Sequence, residues 1–167
     1  MKIHTYEKIW LAASMLLIVL FIASVTYGAL GAGISMIDDG EETIDPEALS
    51  EHPEFGDPGV YEVGDNEYEV YIQAFHPNFL PESIELPEDS TVTFKVTSGD
   101  VIHSYSIVGT NANTMVIPGE IATMTVEFDE PGEYGVVCNE YCGEFHHLME
   151  GEIIVVPEDE FDLEDAA

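Results

Sequence analysis

Hydrophobic and polar residues are arranged in three different ways along this chain. From Ile9 to about Leu30 the run IWLAASMLLIVLFIASVTYGAL carries no charge. A helix rising about 1.5 Å per residue spans a ~30 Å hydrocarbon core over such a length. Trp10 and Tyr27 stand near its two ends, where amphipathic rings suit the membrane interface. Lys2 and Lys8 precede it and only acids follow closely, which places the N-terminus in the cytoplasm and the remainder outside. A cleaved signal peptide is the competing reading. Its apolar core is ordinarily ~7–15 residues, shorter than this run, although the small residues of Gly28-Ala29-Leu30-Gly31-Ala32 leave cleavage open.

The second pattern runs from Asp38 to about Asp57. It is rich in Asp, Glu, Gly and Pro with little apolar content, and reads as an extracytoplasmic linker. A short helix from Asp45 has no long periodic pattern behind it.

The third begins near Tyr61, where the period becomes two. Glu69–Phe75, Thr91–Val96, Ser104–Val108, Thr123–Phe128, Glu133–Val137 and Glu152–Val156 alternate as half-buried strands do. Turn signals at Pro87-Glu88-Asp89, Ser98-Gly99-Asp100, Pro118-Gly119 and Glu130-Pro131-Gly132 separate them. Short strands without intervening helical patterns predict an all-β antiparallel sandwich or barrel. The chain therefore divides into residues 1–37 with one transmembrane helix (about 9–30), an acidic linker 38–60, a β domain 61–157 and an acidic tail 158–167 expected to fray.

Charge changes the picture. The 167 residues hold 34 Asp+Glu against 3 Lys+Arg, a formal net charge of -31. Nucleic-acid binding needs a basic footprint and is excluded as a function class. The acids are spread through the strand region, among them Glu82, Glu88, Asp89, Glu127, Asp129 and Glu152. Their mutual repulsion strains a compact state at ordinary ionic strength and is screened in molar salt, where the Debye length is roughly 3 Å. The surface reads as salt-adapted, that of a halophile's protein.

Ligand chemistry is concentrated in Cys138-Asn139-Glu140-Tyr141-Cys142-Gly143-Glu144-Phe145-His146-His147-Leu148-Met149, which contains both cysteines of the chain. Thiolate, thioether and imidazole together select copper, with zinc the second choice. This stretch follows one predicted strand and leads into the last. A β-sandwich completes such a site with a ligand from a strand end, and His103, just after the Ser98-Gly99-Asp100 turn, fits that place. Each residue has a plainer reading. Outside the membrane the thiols could form a structural disulfide. Two Cys and two His could hold zinc, though structural zinc spacings differ. His103 alone would be a satisfied core histidine, and Met149 alone a core residue. His146 and His147 compete for the same role. His4, His52 and His76 lack ligand neighbours and read as surface groups.

The loop matches C-x-E-x-C-G-x-x-H-x-x-M, the pattern of the binuclear CuA centre, and nearly the whole chain resembles subunit II of haem-copper cytochrome c oxidases. The single N-terminal helix, Asp100-Val101-Ile102-His103 and Pro131-Gly132-Glu133-Tyr134 look most like the ba3-type (B-family) branch. The resemblance implies a cupredoxin-like Greek-key sandwich or barrel with one N-terminal transmembrane helix. It implies a CuA cofactor of two copper ions bridged by Cys138 and Cys142. His103 would bind one copper with Met149 as its weak ligand; His146 and the backbone carbonyl of Glu140 would bind the other. Asp100 would orient the site from behind, and no residue of the chain is itself catalytic. Many relatives place a Trp near the site for electrons to enter by. Trp10 is the only Trp here and lies in the membrane run, while Phe75 and His76 stand where the ba3 branch has aromatic residues.

The function implied is that of the oxidase subunit that takes electrons from an external carrier, cytochrome c or a small blue-copper protein. It passes them to haem in subunit I for oxygen reduction. Alone, the chain would be an electron-transfer module, anchored in membrane lipid with its copper domain outside the cell membrane. The alternatives are the CuA subunit of a nitric oxide reductase and a membrane-anchored copper carrier. The second Cys argues against a one-copper carrier.

Overall fold

Uncharged residues from Ile9 onward leave the backbone of the N-terminal segment no reason to break its own hydrogen bonds. In the computed structural model it forms one continuous helix, α1 (Thr5–Gly31). The structure describes residues 4–31, 36–38 and 42–167. Expectations that fall on residues 1–3, 32–35 and 39–41, including Lys2, Ala32 and part of the acidic stretch, lie outside the described residues. Thr5–Gly28 is the one helix among the described residues long and apolar enough to cross a membrane. The chain separates into two compact units, Met1–Ile34 and Ser35–Ala167.

The second unit is built from short strands in two sheets. In chain order they are β1 (Met36–Asp38), β2 (Val60–Gly64), β3 (Glu67–Phe75), β4 (Asn78–Leu80), β5 (Ser83–Pro87) and β6 (Ser90–Ser98). There follow β7 (His103–Ile107), β8 (Asn113–Val116), β9 (Ala122–Phe128), β10 (Gly132–Val137) and β11 (Glu150–Val156). One sheet has the order β1-β9-β6-β3-β2, with β4 added beside β3; the other runs β5-β11-β10-β7-β8. This is the expected cupredoxin-like sandwich.

Alternation along each strand decides which side chains meet between the sheets. Val70, Ile72 and Ala74 of β3, Val92, Phe94 and Val96 of β6, and Met124, Val126 and Phe128 of β9 point inward and are buried. They pack on Ile84, Leu86, Tyr105, Ile107, Val136, Ile153 and Val155 of the opposing sheet. Each fully buried side chain of this kind contributes about 1.5–3 kcal/mol of transfer free energy. The same cluster includes Cys138, Cys142 and Met149, so the ligand stretch is continuous with the core.

Three expectations change. The ladders are not all antiparallel: β3 pairs with β6, and β11 with β5, in parallel. A tight hairpin cannot join parallel strands. Here the connection from β3 to β6 passes through β4 and then β5, which belongs to the other sheet. The described part of the acidic stretch is packed. Phe55 is 0% exposed and joins Tyr71 and Ile121 in a second apolar cluster, partly flanked by Ile44 and Tyr61. Asp45 opens a turn that accepts from the amides of Glu47 and Ala48, and the helical piece that follows is the single 3-10 turn Leu49–Glu51. The acidic tail is packed against the sandwich. Phe161 lies edge-on against Tyr68 with ring centroids 5.5 Å apart, and the Glu85 amide donates to the Ala166 carbonyl at 2.9 Å. Both β2 and β5 end their sheets, and unpaired strand edges have backbone groups left to satisfy.

Candidate metal centre

The site lies where two loops leave the core. The first is the turn between β6 and β7. Ser98 Oγ donates to the Val101 carbonyl at 2.6 Å and accepts from the Asp100 amide at 3.2 Å, which closes the turn and aims the Asp100 carboxylate back along it. Asp100 Oδ1 lies 2.8 Å from His103 Nε2 and accepts from the Val101 amide at 2.6 Å; Oδ2 accepts from the His76 amide at 2.7 Å. Burial pushes this carboxyl pKa up, but the donors from His76, His103 and Val101 outweigh it, and the net shift is downward. A carboxylate facing Nε2 assigns the proton of the imidazole to that nitrogen and leaves the Nδ1 lone pair free. His103 Nδ1 faces Cys138 Sγ at 4.0 Å, and the ring is fully buried.

The second loop joins β10 to β11. Its base is pinned by the Cys138 amide donating to the Met149 carbonyl at 3.2 Å, one step beyond the Val137–Glu150 pair of the ladder. Ser104 Oγ, one residue past His103, accepts from the amides of Asn139 at 2.6 Å and Glu140 at 3.1 Å. That turns the Glu140 carbonyl to 3.2 Å from Cys138 Sγ and leaves its side chain exposed. Gly143 (φ +134) and Phe145 (φ 64) then bend the chain into the 3-10 turn His146–Leu148. Glycine is the residue suited to a φ of +134, which side-chain-bearing residues rarely adopt. The turn sets His146 Nδ1 3.4 Å and Met149 Sδ 3.6 Å from Cys142 Sγ.

The structure thus brings together the side chains of His103, Cys138, Cys142, His146 and Met149 with the Glu140 carbonyl, and places Asp100 behind His103. The ligand atoms of His103, Cys138 and Cys142 all lie within 4.8 Å of one another. His147 is exposed on the same turn. Both cysteines are free and buried. Burial, with Cys138 close by, raises the Cys142 thiol to about 11. Unprotonated, such buried sulfurs need a cation, and beyond α1 the chain's only Lys or Arg is Lys95, paired at 3.4 Å with Glu69. Soft sulfur, imidazole nitrogen and a carbonyl oxygen converging without a basic side chain fit copper.

Two residues of the site escaped the sequence reading. Ser104 carries no pattern of its own and is found only through the amides it accepts. His76 read as a surface group, yet its ring meets the loop at the Glu144 carbonyl.

Aromatic and apolar side chains surround the site. Tyr141 is 77% exposed, with its ring 5.7 Å from that of His146 in an edge-on contact. Phe145, Leu148, Val101 and Ile102 are also exposed.

The family described as cytochrome C oxidase subunit II, periplasmic domain, matches residues 76–157. The chain is 40% identical over 156 residues to a cytochrome c oxidase subunit 2 of Thermus thermophilus, covering 92% of this chain and 93% of that protein. A second Thermus thermophilus cytochrome c oxidase subunit 2 is 42% identical over 116 residues, 68% of this chain and 86% of its own. Among solved structures, a chain of a heme-copper terminal oxidase dimer determined by cryo-EM superposes with a TM-score of 0.69 at 35% identity, covering 90% of this chain and 99% of that one. With the likeness running along nearly the full length of both partners, the chain belongs to the cytochrome c oxidase subunit II family.

Proposed function

We propose that this subunit II is of the ba3 (B-family) type and receives electrons at a binuclear copper centre held by His103, Cys138, Cys142, His146, Met149 and the Glu140 carbonyl. The observation that carries the reading is the convergence of these donors on two buried, unpaired thiols. The branch assignment is supported by the Thermus relatives and by the one membrane-length helix among the described residues.

When bound, the copper pair supplies a one-electron redox centre. The protein's part is to keep that centre rigid and reachable. Strands on both sides fix the two loops, Asp100 holds the His103 ring, and the Met149 carbonyl ties the loop base. Rigid surroundings keep reorganisation on electron transfer small. The external donor, a cytochrome c or a small blue-copper protein, docks on the exposed rim of Tyr141, Phe145 and Leu148. Electrons leave to haem in subunit I, beside which α1 tethers the domain through membrane lipid. The N-terminus is cytoplasmic and the copper domain lies outside, each a working part of a chain divided into anchor, acidic stretch, β domain and tail. The acidic surface belongs to a protein adapted to high salt.

The test is copper loading of the full chain in a non-ionic detergent at molar salt. Two coppers per chain, with hyperfine splitting shared equally by both nuclei, is the expected result. A single-copper spectrum, or no copper with a Cys138–Cys142 disulfide, overturns it.

A further inference from the structure

His76 sits between the last residue of β3 and the first of β4, far in sequence from the metal loop. Three contacts converge on it. Its main-chain N–H donates to Asp100 Oδ2 at 2.7 Å, the carboxylate whose other oxygen faces His103. Its ring Nε2 bonds the Glu144 carbonyl, between Cys142 and His146. The ring also fills the space over Gly143, where an added Cβ would lie 3.1 Å from both Cδ2 and Nε2. A carbonyl can only accept, so Nε2 carries the proton and donates. The neighbouring Ala74 carbonyl accepts from the Gly99 amide at 3.4 Å, so the end of β3 is tied to the β6–β7 turn at a second point.

We propose that His76 is a positioning residue of the metal centre, one that braces the Cys142–His146 arc of the loop and the Asp100–His103 pair against each other. The proposal rests on the copper reading above. Its physical content is that the two ligand-bearing segments belong to different connections, β6 to β7 and β10 to β11, and His76 bonds both. The arc it braces has little else to hold it. Its main-chain hydrogen bonds are the local ones from His146 to Gly143, Leu148 to Phe145 and Met149 to His146, and the Cys138 amide reaches the stretch only at its far end, the Met149 carbonyl. Phe145, at φ 64, holds a backbone conformation that is unfavourable for a residue with a side chain and persists only where its surroundings fix it. The donor on the Glu144 carbonyl is one of the contacts that fix it. The main-chain half of the brace survives any side-chain change, so substitution isolates the ring's share.

Two variants of the full chain in detergent separate positioning from packing. His76→Gln keeps an amide donor that reaches the carbonyl; His76→Leu keeps bulk and removes the donor. Hydrogen exchange of the metal-free chain reads the loop without copper. Loss of one net hydrogen bond makes the amides of His146, Leu148 and Met149 exchange about fivefold faster in His76→Leu, with the β6–β9 ladder unchanged and His76→Gln within about twofold of the parent. In the copper-loaded chain, His76→Leu makes the hyperfine splitting unequal between the two nuclei and speeds copper loss to a chelator about fivefold, and His76→Gln restores both. Parental exchange and spectra in His76→Leu overturn the proposal, as does a His76→Gln variant as impaired as His76→Leu. If the parent chain takes up no copper, the copper reading fails by itself, and the metal-free exchange still decides what His76 does.

Discussion

His103 Nε2 and Asp100 Oδ1 are 2.8 Å apart, and that pair decides which face of a buried imidazole is left for a metal. Carboxylates behind ligating histidines fix ring tautomer and direction, and their loss typically weakens metal affinity 10–100-fold. Asp100→Asn replaces one acceptor oxygen by an NH2 group among partners that all donate: the His76 and Val101 amides and His103 Nε2. At least one of them is left facing a donor. The expected outcome is copper affinity lowered about 10–100-fold, measured by chelator competition. Because hydrogen bonds hold the Asp100 carboxyl below its ordinary value of 3.8, its contribution to stability is complete above that pH. That contribution is lost as the pH falls further, and acid unfolding of metal-free Asp100→Asn is correspondingly less steep.

Copper binding is expected to tighten with rising pH. The Cys142 thiol is pushed up to about 11 by burial and by Cys138, and it must lose its proton to bind. Below that value every unit of pH lowers the cost, so this residue alone contributes about a tenfold gain in affinity per unit. Isotherms of the metal-free chain between roughly pH 6 and 8 measure the slope. A flat profile is incompatible with Cys142 as a thiolate ligand. Cys138→Ser or Cys142→Ser removes the delocalised two-copper spectrum; its survival in either variant sinks the ligand assignment.

What could be read from sequence followed from range. The ligands from Cys138 to Met149 lie in one short stretch, so their chemistry shows before folding is considered. The strands β3, β6 and β9 show a period of two because one face of each meets the core, broken where Tyr71 of β3 and Thr97 of β6 are buried on the other face. Pairing is another matter. Nothing local distinguishes the parallel partner of β3 from an antiparallel one, since the choice depends on where β5 goes. Short strands such as β4 and β8 have too few residues for a period to show. Phe55 is a lone aromatic residue in an acidic segment, and its burial depends on Tyr71 and Ile121, which lie far from it in sequence. His76 and Glu144 are 68 residues apart, beyond any pattern that spacing can register.

Tyr141 separates docking from copper binding. Its ring touches His146 from the solvent side and is mostly exposed, whereas the donors lie beneath it. Tyr141→Leu keeps apolar bulk and removes the aromatic edge, so the copper spectrum stays parental. Aromatic anchors at interface centres are worth more than about 1 kcal/mol, and the second-order rate of reduction by the physiological donor falls about tenfold. Stopped-flow reduction measures it. An unchanged rate places the point of electron arrival elsewhere, with Phe75, which is also partly exposed, the next to be replaced.

Salt dependence follows from the distribution of charge. In the second unit the only Lys or Arg is Lys95, and it is already engaged, 3.4 Å from Glu69 and 5.5 Å from the Tyr71 ring centre. The acids around it have no further Lys or Arg to pair with, and at a net charge of -31 they repel one another across the whole surface. Raising ionic strength from about 0.1 M to 1 M shortens the Debye length from ~10 Å to ~3 Å, below the spacing of most surface charges. The folded state holds those charges closer together than the unfolded chain does, so screening favours folding. The full chain in non-ionic detergent is expected to gain at least about 5 °C in Tm over that range, equivalent to about 2 kcal/mol for a domain of this size. Sodium chloride is the appropriate salt, because sulfate strengthens apolar burial by a separate route. A Tm that is flat or falls with chloride would mean that the acids are accommodated without screening, and the salt-adapted reading of the surface would be lost.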